Sequence, residues 1–277
     1  REPMRNRPTK RILMISTHGY VAAQPELGKP DTGGQVVFVL KLAESLARMG
    51  YKVDIFTRQF GDQPAQESLT DDVRVLRFPC GGPDFVGKEW LCDSIPEWVA
   101  NATRFIRSRG LRYAFINSHY WDAGLAVAAL GEGFHNQRLH QAPSVPALGH
   151  HKLDNMDGDP DENERKYNFV RRVHDEALIY AKSDLVIATT EEQRELLQRD
   201  EYLVPDERLL VIPPGYDDRQ FFPVSQASRA ALKQELDARG PIVLALGRMA
   251  HNKGYDLLIR SFATVIQRIP EARLLLA

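Results

Sequence analysis

Short runs of apolar, β-branched residues alternate along the chain with longer segments in which apolar residues recur at helical spacing. This alternation is typical of successive βαβ units around a parallel sheet, and several runs are apolar throughout, as strands buried on both faces are. The pattern predicts a doubly wound α/β protein. The predicted strands are residues 12–16, 53–57, 73–78, 113–117, 145–148, 185–188, 209–212, 242–246 and 273–276.

Glycines mark the ends of the first two predicted helices. The helix over residues 36–49 stops at Gly50, and the helix that opens at Pro96 stops at Gly110. Both glycines suit the left-handed conformation that commonly follows a helix. These ends are therefore predicted from a physical requirement of the backbone.

Residues 213–223, which begin Pro-Pro-Gly, interrupt the alternation, and a new helix is predicted to start at Ser225. We place a domain boundary there, with a first domain over residues 1–222 and the start of a second over residues 223–277. The second part offers two strands around one helix, over residues 255–269. Because one βαβ unit cannot bury both faces of its sheet, we expect this domain to continue past Ala277, over on the order of 100 residues in all.

Charge and cysteine content exclude several classes of protein. The 36 Lys and Arg residues almost balance 37 Asp and Glu residues, so the total charge shows no footprint of nucleic-acid binding. Only Cys80 and Cys92 are present, which excludes a disulfide framework and the paired spacing of a zinc site. No apolar run approaches membrane-spanning length. We expect a cytoplasmic protein away from membranes, and the sequence leaves its oligomeric state open.

A long loop over residues 17–34 follows the first strand, at the sheet edge where open α/β proteins bind ligands. It ends with Gly33 and Gly34, which would present consecutive backbone N–H groups at a helix N-terminus and so favour an anion. The alternative is a glycine-rich turn that merely enters a helix. Neither the dinucleotide-binding nor the P-loop fingerprint is intact.

Polar side chains also follow the strand predicted over residues 113–117. His119, Tyr120 and Asp122 would lie beside the first loop if the two strands are neighbours. His119 and Tyr120 could instead cover the sheet edge. For Asp122 we favour the role of a helix N-cap, because it precedes an Ala-Gly-Leu-Ala sequence.

Cations are scattered through the rest of the first part, at Lys88, Lys152, Arg171 and Arg172. Arginine binds phosphate through a bidentate fork and lysine as a point charge, so these residues could gather around a phosphate group. Most such side chains on an α/β protein are solvated surface, which is the alternative for each of them.

The segment 247–254, Gly-Arg-Met-Ala-His-Asn-Lys-Gly, joins a predicted strand to a predicted helix. Arg248 and Lys253 would lie at the helix N-terminus, where two cations suit a diphosphate. The flanking glycines allow close approach of the backbone. A charged solvent loop is the alternative.

Taken together, these motifs resemble retaining GT-B glycosyltransferases of the sucrose-phosphate synthase type. Order and spacing agree along almost the whole chain, and residues 15–25 and 154–160 resemble the members that make a mannosylated fructose phosphate. The motifs are Pro-Asp-Thr-Gly-Gly-Gln at 30–35, Lys-Glu at 88–89, His-Tyr-Trp-Asp-Ala-Gly at 119–124, Arg-Arg at 171–172, Val-Ile-Pro-Pro-Gly at 211–215 and the segment 247–254.

The resemblance implies a GT-B fold, with a Rossmann-like acceptor-binding domain followed by the start of a nucleotide-sugar-binding domain. It implies transfer of mannose from GDP-mannose to fructose 6-phosphate, and UDP-glucose with a sucrose phosphate product is the close alternative. No cofactor or metal is implied as a requirement, and a non-essential Mg²⁺ is left open. The implied catalytic residues are Arg248 and Lys253, the implied donor-binding residues are these two and Gly34, and the implied acceptor-binding residues are Gly33, Gln35, Lys88, Tyr120, Lys152, Arg171 and Arg172.

Two departures from the family matter. A His-Ser-Leu-Gly segment expected after Leu148 is absent from the numbered sequence, and His150 or His151 could substitute for its histidine. The acidic motif of the donor domain would lie beyond Ala277, so we expect residues 1–277 alone to be inactive. These departures keep two alternatives open: a non-catalytic module that binds sugar phosphates, and a nucleotide-sugar epimerase on the same scaffold.

Overall fold

The computed structural model describes residues 10–25, 33–133, 140–145, 147–199, 201–247, 249 and 253–277. The chain divides into two compact units, Arg1–Pro214 and Gly215–Ala277. The division lies within the segment 213–223 that interrupts the sequence pattern, somewhat before the boundary that we placed at residue 222.

A large, mostly parallel sheet forms the centre of the first unit. Its strand order is β3-β4-β2-β1-β5-β6-β7-β8, and β3 alone of these described strands runs antiparallel to its neighbour. This architecture confirms the doubly wound α/β prediction. The strands are β1 Arg11–Ile15, β2 Lys52–Gln59, β3 Gln66–Thr70, β4 Val73–Pro79, β5 Phe115–His119, β6 His140–Val145, β7 Val186–Ala188 and β8 Leu209–Val211.

Helices connect most of the parallel strands, and the predicted ends of the first two helices are confirmed. Gly50 and Gly110 follow these helices with φ of 91° and 57°, in the left-handed region. No helix among the described residues is long and apolar enough to cross a membrane. The helices of this unit are α1 Gly34–Arg48, α2 Ile95–Ser108, α3 Trp121–Gly133, α4 Gly149–Asp154, α5 Pro160–Tyr167, α6 Phe169–Lys182 and α7 Glu191–Leu197.

The sheet is buried on both faces, as the apolar strands predict. Along β1, Ile12 and Met14 pack into one hydrophobic cluster with α1, while Leu13 and Ile15 pack into another with α2 and α3. Trp98 of α2 is fully buried there, and its indole N–H donates to the carbonyl of Thr57 at 3.0 Å. The alternation of side chains along a strand therefore builds two cores from one strand.

Three strands differ from the prediction: one was not predicted and two lie at other residues. The strand β3 was not predicted, because its edge position leaves none of its residues buried and no apolar period. The strand β5 lies two residues later than the predicted 113–117. The strand β6 precedes the predicted 145–148: its His-Gln-Ala-Pro-Ser-Val sequence is polar, and Leu148 instead adopts the N-cap position of α4.

The second unit contains a two-stranded parallel sheet and two helices. The strands β9 Ile242–Ala245 and β10 Arg273–Leu276 pair in parallel, and α9 Tyr255–Arg268 connects them. The predicted βαβ unit is therefore confirmed. The helix α8 Gln226–Glu235 starts at the predicted N-cap Ser225, whose hydroxyl accepts from the backbone N–H of Ser228 at 3.1 Å.

The order of the central strands positions the candidate site. The strand β1 lies between β2 and β5, with Ile15 opposite both Phe56 and Ser118. The chain leaves β1 toward β2 and later returns to the other side of β1 at β5. The loops that follow β1 and β5 therefore meet at the carboxyl edge of the sheet, at a topological switch point.

Candidate active site

Tyr120 connects β5 to α3 in an unusual backbone conformation. Its φ is 79°, in the left-handed region that residues with a side chain rarely adopt. The turn lets its carbonyl accept from the N–H of Gly124 at 3.1 Å, and the side chain is only 8% exposed. The turn thus holds a phenol at the carboxyl edge of the sheet.

Two cations converge on this phenol. The Arg172 guanidinium donates to the Tyr120 hydroxyl at 2.8 Å, and the Lys152 ammonium donates to the same oxygen at 3.3 Å. The Arg172 Cζ atom also lies 4.6 Å from the centre of the Tyr120 ring, within the range of a cation–π contact. Arg172 comes from α6 and Lys152 from α4, so three separate elements build the cluster.

Glu176 fixes the position of Arg172 from behind. Its carboxylate accepts from Arg172 Nε at 2.8 Å, from the Tyr202 hydroxyl at 2.6 Å and from the backbone N–H of Gly149 at 2.9 Å. A Cβ atom at Gly149 would lie 3.1 Å from the Arg172 side chain, so glycine permits this close contact. The buried arginine is therefore paired and held by hydrogen bonds, as a buried charge requires.

Crowding of cations changes the acid–base properties of the cluster. Burial, together with the charges of Arg172 and Lys88, lowers the pKa of Lys152 to about 8. Burial raises the pKa of Tyr120 to about 12, so the phenol stays protonated. Burial by itself lowers the pKa of Arg172, but the charge and hydrogen bond of Glu176, together with Tyr120 and Tyr180, outweigh this effect and the net pKa is raised. The cluster is a positively charged site with a proton that Lys152 can lose near neutral pH.

Lys88 lies beside the cluster, and Arg171 pairs with two carboxylates. Lys88 pairs with Glu89 at 3.0 Å, and its charge also lowers the pKa values of Lys152 and Tyr120. Arg171 is 43% exposed and pairs with Asp93 at 2.5 Å and with Asp175 at 3.4 Å. The structure therefore brings Lys88, Tyr120, Lys152 and Arg172 together, while contact of Arg171 with an acceptor stays a prediction.

The preferred N-cap role of Asp122 was wrong. Asp122 lies inside the first turn of α3, and its buried carboxylate accepts from the Thr17 hydroxyl at 2.5 Å and from His18 Nδ1 at 3.0 Å. The His18 ring packs edge-on against the Tyr120 ring, with 4.7 Å between centroids. Asp122 thus ties the first loop to the cation cluster. The sequence did not single out His18 as a site residue. The prediction that residues 119–122 lie beside the first loop required β1 and β5 to be neighbours, and the structure shows that they are.

The glycine turn opens α1 as predicted. Gly33 is the N-cap residue and Gly34 the first helical residue, and no described atom lies within 4 Å of a Cβ atom built on either. The Gln35 amide donates to the Ser16 hydroxyl at 3.3 Å, at the end of β1. As far as the described residues go, the N-terminus of α1 therefore has space for a ligand.

Three further histidines, His119, His150 and His151, have structural environments. Burial lowers the pKa of His119 to about 3, so its ring stays neutral. His150 pairs with Asp154 at 2.9 Å and with Glu201 at 3.4 Å, and His151 lies beside Asn155. The His150 ring therefore contacts carboxylates at the end of α4 and at Glu201, and the His151 ring contacts the residue that follows α4.

On the predicted donor side, Lys253 is exposed and immediately precedes Gly254, the left-handed N-cap of α9. The Tyr255 hydroxyl donates to the carbonyl of Gly247 at 2.8 Å and would lie 3.3 Å from a Cβ atom there, which explains the glycine. Arg248 lies outside the described residues, so its role stays a prediction. Within the described ranges, no group of three or more His, Cys, Asp or Glu residues could hold a metal ion.

The chain matches the models of known protein families. The family model of the Glycosyl transferase 4-like domain matches residues 33–215, which is more than half of the chain. The chain belongs to this glycosyltransferase family. The model of the first GT-B domain of sucrose synthase matches residues 6–56, which include β1, the first loop, all of α1 and the start of β2.

Individual glycosyltransferases are similar along nearly the whole chain. Mannosylfructose-phosphate synthase of Agrobacterium fabrum is 51% identical over 96% of this chain and 59% of its own length. D-inositol 3-phosphate glycosyltransferase of Corynebacterium aurimucosum is 31% identical over 95% of this chain and 61% of its own. The chain thus spans about three fifths of the length of these relatives.

The fold agrees with solved glycosyltransferases. The structure of sucrose-phosphate synthase from Thermosynechococcus elongatus superposes with a TM-score of 0.79 at 26% identity, over 96% of this chain and 62% of that chain. The predicted GT-B, Rossmann-like fold is confirmed, as is the predicted resemblance to the sucrose-phosphate synthase type.

Proposed function

We propose that this chain provides the acceptor-binding side of a retaining glycosyltransferase that transfers mannose from GDP-mannose to fructose 6-phosphate. The observation that carries the proposal is the convergence of Lys152 and Arg172 on the Tyr120 hydroxyl, with Lys88 beside them. A buried site with this excess of positive charge suits a dianion such as a sugar phosphate.

The surroundings of the cluster suit the rest of the acceptor. The open N-terminus of α1 and the Gln35 side chain lie at the same sheet edge, where backbone N–H groups and an amide would contact sugar hydroxyls. His18, held by Asp122 and packed on Tyr120, presents a further polar ring. We propose that Gly33, Gln35, Lys88, Tyr120, Lys152, Arg171 and Arg172 bind the acceptor, as the family resemblance implies.

On the donor side we propose that Arg248 and Lys253 bind the diphosphate, with Gly34 near the transferred hexose. Two cations would neutralise the charge that grows as the nucleotide departs, which is electrostatic stabilisation of the transition state. The acceptor hydroxyl would bond to the anomeric carbon on the face that the diphosphate leaves, so the sugar keeps its anomeric configuration. The departing phosphate oxygen would accept the proton of that hydroxyl. No metal ion is needed for these steps, although Mg²⁺ could assist.

The choice of mannose rests on the relative from Agrobacterium fabrum, which is a mannosylfructose-phosphate synthase. The choice of GDP as the nucleotide rests on the family resemblance alone. The similar sucrose-phosphate synthase structure supports fructose phosphate as acceptor and keeps UDP-glucose as the alternative donor. We also propose a cytoplasmic location, which the two free, buried cysteines, Cys80 and Cys92, support.

The test is nucleotide release by the full-length protein with fructose 6-phosphate and either GDP-mannose or UDP-glucose. We expect GDP release that depends on the acceptor, and a phosphorylated disaccharide with the donor's anomeric configuration in its NMR spectrum. Release of UDP alone would reassign the donor. Binding of fructose 6-phosphate without release from either donor would support a non-catalytic module, and release without an acceptor would support hydrolysis or epimerisation.

A further inference from the structure

Arg58 of β2 is a buried cation with no acidic partner among its described hydrogen bonds. It is 1% exposed, and its guanidinium donates only to backbone carbonyls of one turn. The acceptors are the carbonyls of Cys80 at 2.8 Å, Gly81 at 3.3 Å, Gly82 at 3.0 Å and Asp84 at 2.7 Å. Because a buried guanidinium is costly unless its N–H groups are bonded, the turn and the arginine depend on each other.

Besides Arg58, a backbone hydrogen bond from the N–H of Gly61 to the carbonyl of Pro83, at 2.7 Å, holds the turn. Gly81 and Gly82 have φ of 64° and 80°, so the backbone passes through the left-handed region twice in succession. A side-chain anchor reaches it from Glu97, whose carboxylate accepts from the N–H of Gly81 at 2.9 Å. Consecutive glycines lose much conformational entropy on ordering, and Arg58 supplies the hydrogen bonds that oppose this loss.

The anchored turn leads directly to Lys88 through Phe85. The Phe85 ring stacks on Tyr20 of the first loop, with 5.6 Å between centroids and 6° between planes, and packs edge-on against Phe60. The Arg58 guanidinium lies 5.1 Å from the centre of the Phe60 ring. Arg58 therefore fixes both the backbone before Lys88 and the aromatic cluster that joins this segment to the first loop.

We propose that Arg58 is a positioning residue for acceptor recognition: by holding residues 80–84 it fixes Lys88 beside the Tyr120 cluster, where Lys88 completes the phosphate site. The inference rests on the proposed function, since it assumes that the cluster binds a sugar phosphate. It assigns Arg58 no contact with substrate. Its action on the ligand passes through Lys88 alone.

The experiment compares Arg58→Lys with a matched control, Arg74→Lys. Arg74 also donates from a parallel strand of this sheet, through two hydrogen bonds to the buried Asp54, and none of its described hydrogen bonds reaches the turn. Titration calorimetry with fructose 6-phosphate and with fructose separates recognition of the phosphate from recognition of the sugar. Glu97→Ala, at an exposed position, removes the acceptor of the Gly81 N–H and gives a second variant if Arg58→Lys does not fold.

We expect Arg58→Lys to weaken fructose 6-phosphate binding about 10-fold, as when one hydrogen bond to a charged group is lost, and to leave fructose binding unchanged. In a Lys88→Ala background Arg58→Lys should cause no further loss, because the two residues act through one contact. A fructose 6-phosphate affinity equal to that of Arg74→Lys would overturn the inference. So would an undiminished loss in the Lys88→Ala background.

A ligand-independent measurement separates this inference from the proposed function. Ordering of the segment should slow tryptic cleavage after Lys88. Arg58→Lys, and to a lesser degree Glu97→Ala, should therefore be cut there faster than Arg74→Lys. If the unaltered protein fails to bind fructose 6-phosphate, the proposed function fails while this comparison still tests the anchor. Equal cleavage rates would contradict the role of Arg58 whatever the ligand.

Discussion

The Tyr120 hydroxyl accepts a hydrogen bond from Arg172 at 2.8 Å, and this contact joins the switch point of the sheet to α6. When it makes this contact, Tyr120 has a left-handed backbone conformation, which is energetically unfavourable for a residue other than glycine. Arg172 in turn is held by Glu176 at 2.8 Å. The pair gives the site a fixed positive charge before any ligand arrives, which is the basis of preorganised anion binding.

Removing the hydroxyl should test this pair. We expect Tyr120→Phe to weaken fructose 6-phosphate binding about 10-fold, because Arg172 and Lys152 lose the acceptor that holds their donors together. The matched control is Tyr113→Phe, which removes another buried hydroxyl, bonded to Asp54 at 2.7 Å. Both variants should lose about 1–3 kcal/mol of unfolding free energy in denaturant titrations. A similar loss of affinity in both would show a general effect of destabilisation.

Acceptor binding should depend on pH through Lys152. Lysine is charged below its pKa, and the pKa of Lys152 is lowered to about 8, so the charge that attracts phosphate is present at neutral pH and disappears as pH rises. The sugar phosphate itself stays dianionic, since its second pKa is about 6. We expect calorimetric affinity for fructose 6-phosphate to fall several-fold between about pH 7 and about pH 9.

Lys152→Arg is the control for this pH dependence. Arginine keeps its charge throughout this range, so the variant should bind with an affinity that barely changes with pH. An unaltered fall in affinity with Lys152→Arg would assign the titration to another group.

The ion pair behind the site should contribute strongly to stability. Glu176→Gln leaves Arg172 buried without a counter-charge, and we expect a loss of about 3–5 kcal/mol of unfolding free energy. The matched control is Asp175→Asn, which breaks the ion pair with the half-exposed Arg171 and should cost about 1 kcal/mol or less. Thermal and denaturant unfolding of the two variants compares them, and equal losses would mean that the Arg172–Glu176 pair is not a structural anchor.

The donor side yields a kinetic prediction. In the full-length protein, Lys253→Ala should lower turnover about 100-fold or more, as for loss of one preorganised group that stabilises leaving charge. Arg260→Ala removes an exposed cation from the middle of α9 and serves as the control, with turnover unchanged. An unchanged rate with Lys253→Ala would remove this residue from the mechanism.

The fold was predictable wherever burial leaves a periodic apolar signal. Helix ends at Gly50 and Gly110 and the N-cap at Ser225 were predicted because local backbone chemistry determines them. The edge strand β3 and the polar strand β6 were not, because pairing with a neighbouring strand, rather than their own sequence, makes them strands.

For the site, residue types were predictable and their partners were not. Lys152 and Arg172 were identified as phosphate candidates, but the sequence could not show that they meet at Tyr120. Asp122 was misassigned because its true partner, His18, is distant along the chain and local reasoning finds only the nearby helix start. Contacts of this kind depend on the strand order, which local sequence patterns do not determine.

The central claim is that the Tyr120 cluster recognises the phosphate of the acceptor. Calorimetric titration of the 277-residue chain with fructose 6-phosphate and with fructose tests it most directly. We expect the phosphorylated sugar to bind about 100-fold more tightly, and Arg172→Gln to remove most of this difference, since a buried charged hydrogen bond is worth about 1.5–3 kcal/mol. Equal affinity for the two sugars, or a preference that survives Arg172→Gln intact, would contradict the account.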